Sequence, residues 1–284
     1  MDQRIVDLYD RYTHGALTRR AFLDRLAALA GGTAAAAALL PLLANDYARA
    51  ETVPEGDPRL SVEMIDIPGV AHGLKGYLAK PKAGEKFPAV IVVHENRGLN
   101  PHIKDIARRL ALEGFAAVAI DYLSPLGGTP ADEDKAREMI GTLKLDDVIA
   151  WSRGAVASIV ARQDTTDDIG AIGFCWGGGV VGELAAAEPD LDAAVAYYGR
   201  QPAPEKVPGI AAPLLLHYAG LDERINAGIP AFEEALKRAK KTYELHMYEG
   251  VNHAFNNDTG SRYDKAAADL AWGRTVAFLK KYVH

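Results

Sequence analysis

The chain has 284 residues, 49% hydrophobic and 25% charged, with a formal net charge of −6. That length and apolar share suit one full hydrophobic core plus an appended segment, and an acidic balance without a basic block in the body of the chain argues against a nucleic-acid partner. The single cysteine, Cys175, excludes an internal disulfide, a C-x-x-C redox pair and a zinc knuckle.

Residues 1–50 differ in character from residues 51–284. Thr18-Arg19-Arg20-Ala21-Phe22-Leu23 matches a twin-arginine export signature, Leu26 to Ala44 is an alanine-rich apolar stretch, and Ala48-Arg49-Ala50 has the form of a cleavage site. The expectation is export of a folded protein by the twin-arginine machinery to the periplasm or beyond. The apolar run is short and interrupted by Gly31, Gly32 and Pro41, so no permanent membrane span is expected. The alternative is a retained helical hairpin capping a cytoplasmic protein, because Ile5, Leu8, Tyr9 and Tyr12 recur at helical spacing.

Beyond a polar linker, two alternating segments before residue 80 predict antiparallel edge strands. Phe87 to His94 reads as a buried strand and Asn100 to Glu113 as a helix, with Asn100 as its cap and Pro101 at its first position. Phe115 to Asp121 is the next buried strand. Charged and apolar helical patterns follow at 132–141 and 146–162, then a strand ending at Phe174 and a helix from Trp176 to Ala187. Strands are predicted at 193–198, 213–218 and 242–248, with helices at 226–240 and 261–282. This alternation predicts an α/β fold, an open, mainly parallel, doubly wound sheet that places ligands at the carboxyl ends of its strands.

The stretch Gly173-Phe174-Cys175-Trp176-Gly177 has the form G-x-S-x-G with sulfur in place of oxygen. A strand-to-helix turn this sharp strains its central residue and crowds the flanking backbone, which calls for glycine on both sides. It also lifts the side chain to a helix N-terminus, where a thiolate is favoured over a thiol. Taken alone, an isolated cysteine is commonly a small buried hydrophobe. Asp222 and His253 change the balance: each falls just past a predicted strand, and nucleophile, acid, histidine is the order of an α/β-hydrolase triad. The expected roles are thiolate attack by Cys175 on an ester or lactone, proton transfer by His253, and orientation of the imidazole by Asp222. The backbone N–H groups of Trp176 and Asn96 are the expected oxyanion donors.

The motifs G-F-C-W-G-G and H-Y-A-G-L-D, with the run Glu249 to Lys280, resemble the dienelactone hydrolase (carboxymethylenebutenolidase) family of α/β-hydrolases over residues 60–282. The resemblance implies that Glu95, in H-E-N-R-G, contacts the resting cysteine and helps activate it. It also exposes two departures. Pro125 and Asn257 stand where dienelactone-cleaving members carry a pair of substrate-binding arginines, which removes the basis for naming dienelactone as the substrate. Arg97, Arg200, Arg224 and Arg262 are possible substitutes, and Trp176, Tyr122 and Phe255 are candidates to line an apolar pocket. A small-molecule ester or lactone is the expected partner, and neither cofactor nor metal is expected. Two competing classes are a catalytically silent scaffold that binds a ligand and a peroxide-sensing thiolate.

Overall fold

The computed structural model describes residues 1–47, 51–70 and 73–284. The predicted cleavage site at 48–50 lies outside the described residues.

An eight-stranded sheet forms the centre, in the order β1-β2-β4-β3-β5-β6-β7-β8. Leu60–Asp66 (β1) and Lys75–Pro81 (β2) make the antiparallel edge, as the alternating pattern predicts. Phe87–Val93 (β3), Ala116–Asp121 (β4), Thr165–Phe174 (β5), Ala193–Tyr197 (β6), Leu214–Ala219 (β7) and Tyr243–Tyr248 (β8) run parallel. β3 to β7 are covered on both faces, and their side chains divide by parity. Ile91 and Val93 enter the core under one helical layer, while Val90 and Val92 enter the core under the other.

The first layer holds Leu145–Val160 (α6), Trp176–Ala187 (α7) and Ile229–Arg238 (α9); the second holds Pro101–Leu112 (α4) and Lys265–Tyr282 (α10). The Asn100 cap is the one the sequence implies, its side chain accepting from the Ile103 N–H; the last helix, expected from residue 261, starts at Lys265, where Asp264 accepts from the Ala267 N–H. The predicted 226–240 helix is present within those bounds, and a separate single turn precedes it. Asp222 caps a single turn, Glu223–Asn226 (α8), and Gly228 with Pro230 restarts the chain as α9. Glu133–Thr142 (α5) lies outside the sheet layers, beside the carboxyl ends of the strands.

Residues before the linker form Gln3–Thr13 (α1), Arg19–Ala30 (α2) and Thr33–Leu43 (α3). Gly31 and Gly32, both at positive φ, bend α2 against α3 by 111°, and among the described residues no single helix is long and apolar enough to cross a membrane. These helices share a small core of their own, built on Leu8, Tyr12, Phe22, Leu26 and Leu43, with Tyr12 stacked on Phe22 at 4.6 Å. The N-terminal arm is tied to the body by polar contacts. The Arg262 guanidinium pairs with Asp10, Arg19 with Asp134 at 2.8 Å, and Asn96 donates to the Thr13 carbonyl at 2.8 Å.

Candidate active site

Cys175 sits at the junction of β5 and α7 with φ 54° and ψ −115°. A β-carbon on Gly173 would overlap the Gly177 carbonyl, and one on Gly177 would overlap the carbonyls of Val93 and His94. The two glycines are therefore demanded by backbone contact, as the motif predicts. Trp176 is the first residue of α7, so its N–H has no intrahelical acceptor and stays available.

The loop after β7 delivers Asp222 and the loop after β8 delivers His253. The His253 Nδ1–H donates to Asp222 Oδ2 at 2.5 Å, while Asp222 Oδ1 accepts from the Ile225 N–H at 3.2 Å. Both side chains are buried. With Nδ1 committed, Nε2 is the free nitrogen of the ring, and it is buried without a hydrogen-bond partner. Cys175, Asp222 and His253 come together at the ends of three parallel strands.

A second imidazole, not singled out in the sequence, approaches the sulfur. His14 caps the C-terminus of α1; its Nδ1–H donates to the Asp10 carbonyl at 2.8 Å, and its Nε2 lies 3.3 Å from Cys175 Sγ. The His14 and His253 rings meet edge to face at 4.6 Å. One ligand-capable atom from each of His14, Cys175 and His253 falls within a set no wider than 4.8 Å. The contact spans 161 residues of chain. Its only trace in the sequence is the apolar spacing that makes α1 a docked helix ending at residue 13.

Burial works against a charged sulfur, but the positive charges of His253 and His14 outweigh it and bring the Cys175 thiol down to about 6. Burial likewise opposes a charged His253, yet the thiolate and Asp222 together raise it to about 10. Thiolate and imidazolium stabilise one another, so the pair rests in its charged form at neutral pH.

Glu95, in the loop after β3, lines a small cavity with Cys175 and His253. Its carboxylate accepts from Asn257 Nδ2 at 2.8 Å and from the Tyr198 hydroxyl at 3.5 Å. Asn257, standing where dienelactone-cleaving relatives are expected to carry an arginine, holds Glu95. Asn96 lies in the same loop, with its side chain on Thr13.

Four residues expected to bind substrate are placed otherwise. Tyr122 is fully buried in the core, its hydroxyl on Ser152 at 2.7 Å and its ring against Trp176 and His94, because Ser152 in α6 offers the one polar partner a buried phenol needs. Phe255 is fully buried among Tyr197, Tyr198 and Tyr248. Arg97 is spent on Glu133 and Tyr9, fastening α5 and the arm to the body, and Arg262 is spent on Asp10. Arg200 and Arg224 do reach the main cavity, about 670 Å³ in volume, which opens from Cys175, His253 and Trp176 toward Ile140 and Leu145. Thr13, His14 and Gly15 of the arm form one of its walls.

The family model of the dienelactone hydrolase family matches residues 74–283. The chain belongs to the dienelactone hydrolase family. A relative from Saccharolobus solfataricus, assigned as a carboxymethylenebutenolidase, is 34% identical over 73% of this chain and 94% of its own. A Bradyrhizobium relative, assigned as a 2-oxo-3-(5-oxofuran-2-ylidene)propanoate lactonase, is 32% identical over 78% of this chain and 94% of its own. A Klebsiella pneumoniae crystal structure assigned as a dienelactone hydrolase superposes with a TM-score of 0.72 at 30% identity, covering 78% of this chain and 99% of that one. The fold is that of the α/β-hydrolases, and this dienelactone hydrolase family member is a hydrolase of carboxylic esters or lactones. Its first 31 residues match a separate model, described as YqhI-like.

Proposed function

We propose that this hydrolase cleaves small carboxylic esters or lactones through a Cys175–His253–Asp222 triad and an acyl-thioester. The observation that carries this reading is that Asp222 Oδ2 holds His253 Nδ1 while a ring nitrogen of His253 and Cys175 Sγ lie within 4.8 Å of each other. The thiolate attacks the carbonyl carbon, and the Trp176 and Asn96 N–H groups receive the oxyanion. Collapse expels the alkoxide, which takes the His253 proton. Neutral His253 then removes a proton from water, whose oxygen attacks the thioester carbonyl and releases the acid and the thiolate. Arg200 and Arg224, on the cavity wall, suit a substrate carrying a carboxylate distant from the scissile bond.

The test is turnover of p-nitrophenyl acetate and a panel of lactones by wild type and Cys175→Ala, with mass spectrometry of quenched mixtures. An acyl adduct on Cys175 and loss of turnover in the variant are expected. Unchanged turnover in the variant would remove the cysteine from the chemistry, and no turnover of any ester by wild type would favour a silent scaffold.

For residues 1–50 the retained arrangement is the one we propose, in a cytoplasmic protein. Removing them would strip one wall from the cavity and leave Asn96 and Arg262 without the Thr13 and Asp10 partners they hold. N-terminal sequencing of the protein from its native host is expected to begin at residue 1 or 2. A start near Glu51 would instead support cleavage by the export route.

A further inference from the structure

We propose that His14, Cys175 and His253 form a binding site for one thiophilic divalent cation of the zinc class, whose occupancy clamps the N-terminal arm onto the nucleophile. The donor set is one sulfur and two imidazole nitrogens, the mixture that such ions prefer over hard oxygen ligands. Tetrahedral zinc with sulfur and nitrogen ligands spaces them by roughly 3.3–3.6 Å. The Sγ to His14 Nε2 distance is already 3.3 Å, and the whole set lies within 4.8 Å.

The surroundings are also those of a metal site. A ligating histidine ordinarily donates its other ring N–H to a carboxylate or carbonyl, which fixes the tautomer and aims the free nitrogen at the ion. Both rings do this: His253 donates from Nδ1 to Asp222 and His14 from Nδ1 to the Asp10 carbonyl. His253 Nε2 is buried and has no partner at hydrogen-bond geometry, only the charge of the nearby thiolate, so a metal between the two would bond both directly. The sulfur faces the main cavity, so a fourth position is open to water. Asp222 and Asp10 bring negative charge to the outer side of each imidazole, offsetting the charge of a divalent ion, although Asp10 is shared with Arg262.

Binding releases the His253 Nε2 proton to solvent, with Cys175 already a thiolate, and forms three bonds to protein, with no oxidation or reduction. It engages the nucleophile and its base together, so an occupied site is a closed, inactive enzyme. Metal binding stands independently of the hydrolase reading, whereas this inhibitory consequence rests on it. His14 comes from the arm and the other two ligands from the body, so the ion would bridge segments far apart in the chain.

The experiment titrates the reduced full-length protein with Co²⁺ alone and follows thiolate-to-cobalt charge transfer and tetrahedral ligand-field absorption. One cobalt per chain with both features is expected. Cys175→Ser should lose the charge-transfer band, His14→Ala should weaken binding by at least about 100-fold, and Asp222→Asn, which removes only an outer partner, by about 10- to 100-fold. Zn²⁺ should displace the cobalt and protect wild-type Cys175 from iodoacetamide until a chelator is added, a readout that needs no variant to fold. Cobalt bound without charge transfer, binding of equal strength to His14→Ala, or alkylation indifferent to Zn²⁺ would each overturn the proposal. Ester turnover by the metal-free chain is measured in parallel. Turnover without a cobalt band removes the metal site alone, and a cobalt band without turnover removes the hydrolase reading alone.

Discussion

The resting charge of Cys175 can be titrated directly. A free cysteine ionises near pH 8.5, so about 3% of it is thiolate at pH 7. Burial alone would reduce that fraction, but His253 and His14 bring Cys175 to about 6. At that value about 90% is thiolate at pH 7, a roughly thirtyfold gain, and the downward shift corresponds to about 3–4 kcal/mol of differential stabilisation of the anion. The sign follows from the depressed value: the thiolate is present above pH 6 and is lost as pH falls through it. His253, raised to about 10, keeps its proton throughout neutral pH and loses it as pH rises through 10. Alkylation by iodoacetamide, followed by mass spectrometry against pH, should therefore rise through a midpoint near 6 and stay level to pH 9. His253→Ala should move the midpoint upward, because the largest stabilising charge is gone. A wild-type midpoint at or above about pH 8 would refute the ion-pair account, and a midpoint unmoved in His253→Ala would place the source of the shift elsewhere.

Asp222→Asn keeps the shape of the loop but no longer holds the His253 tautomer, and should lower kcat by about 10⁴ with the fold intact by circular dichroism. Tyr122→Phe loses only its bond to Ser152, costing about 1 kcal/mol in urea unfolding while KM stays unchanged; a raised KM would return Tyr122 to the substrate. Gly173→Ala forces a β-carbon into the Gly177 carbonyl and should destabilise by about 3 kcal/mol, again read by urea unfolding. Replacing Arg200 by Ala should raise KM about tenfold for esters bearing a remote carboxylate and leave neutral esters unaffected, the loss of one charged hydrogen bond.

What the sequence determined is what short stretches of backbone decide. The turn at Cys175 needs Gly173 and Gly177 because the chain crosses itself there, and that need is written within five residues. Asn100 and Pro101 start α4 through bonds that span a single turn, and alternation alone separates the edge strands β1 and β2 from the continuous buried runs of β3 and β4. The order Cys175, Asp222, His253 at strand ends was legible because a parallel sheet collects its strand ends on one side. The tertiary structure alone decided which side chains spend their polarity where. Arg97 turned to Glu133 and Tyr9, Tyr122 and Phe255 entered the core, and Asn257 took hold of Glu95. His14 is the sharpest case. Nothing within a turn of it marks it as functional, and only the packing of α1 across the strand ends brings its Nε2 to a sulfur 161 residues away. Local propensity and steric demand act over a few residues, whereas pairings between distant groups are selected by the free energy of burying and satisfying them together.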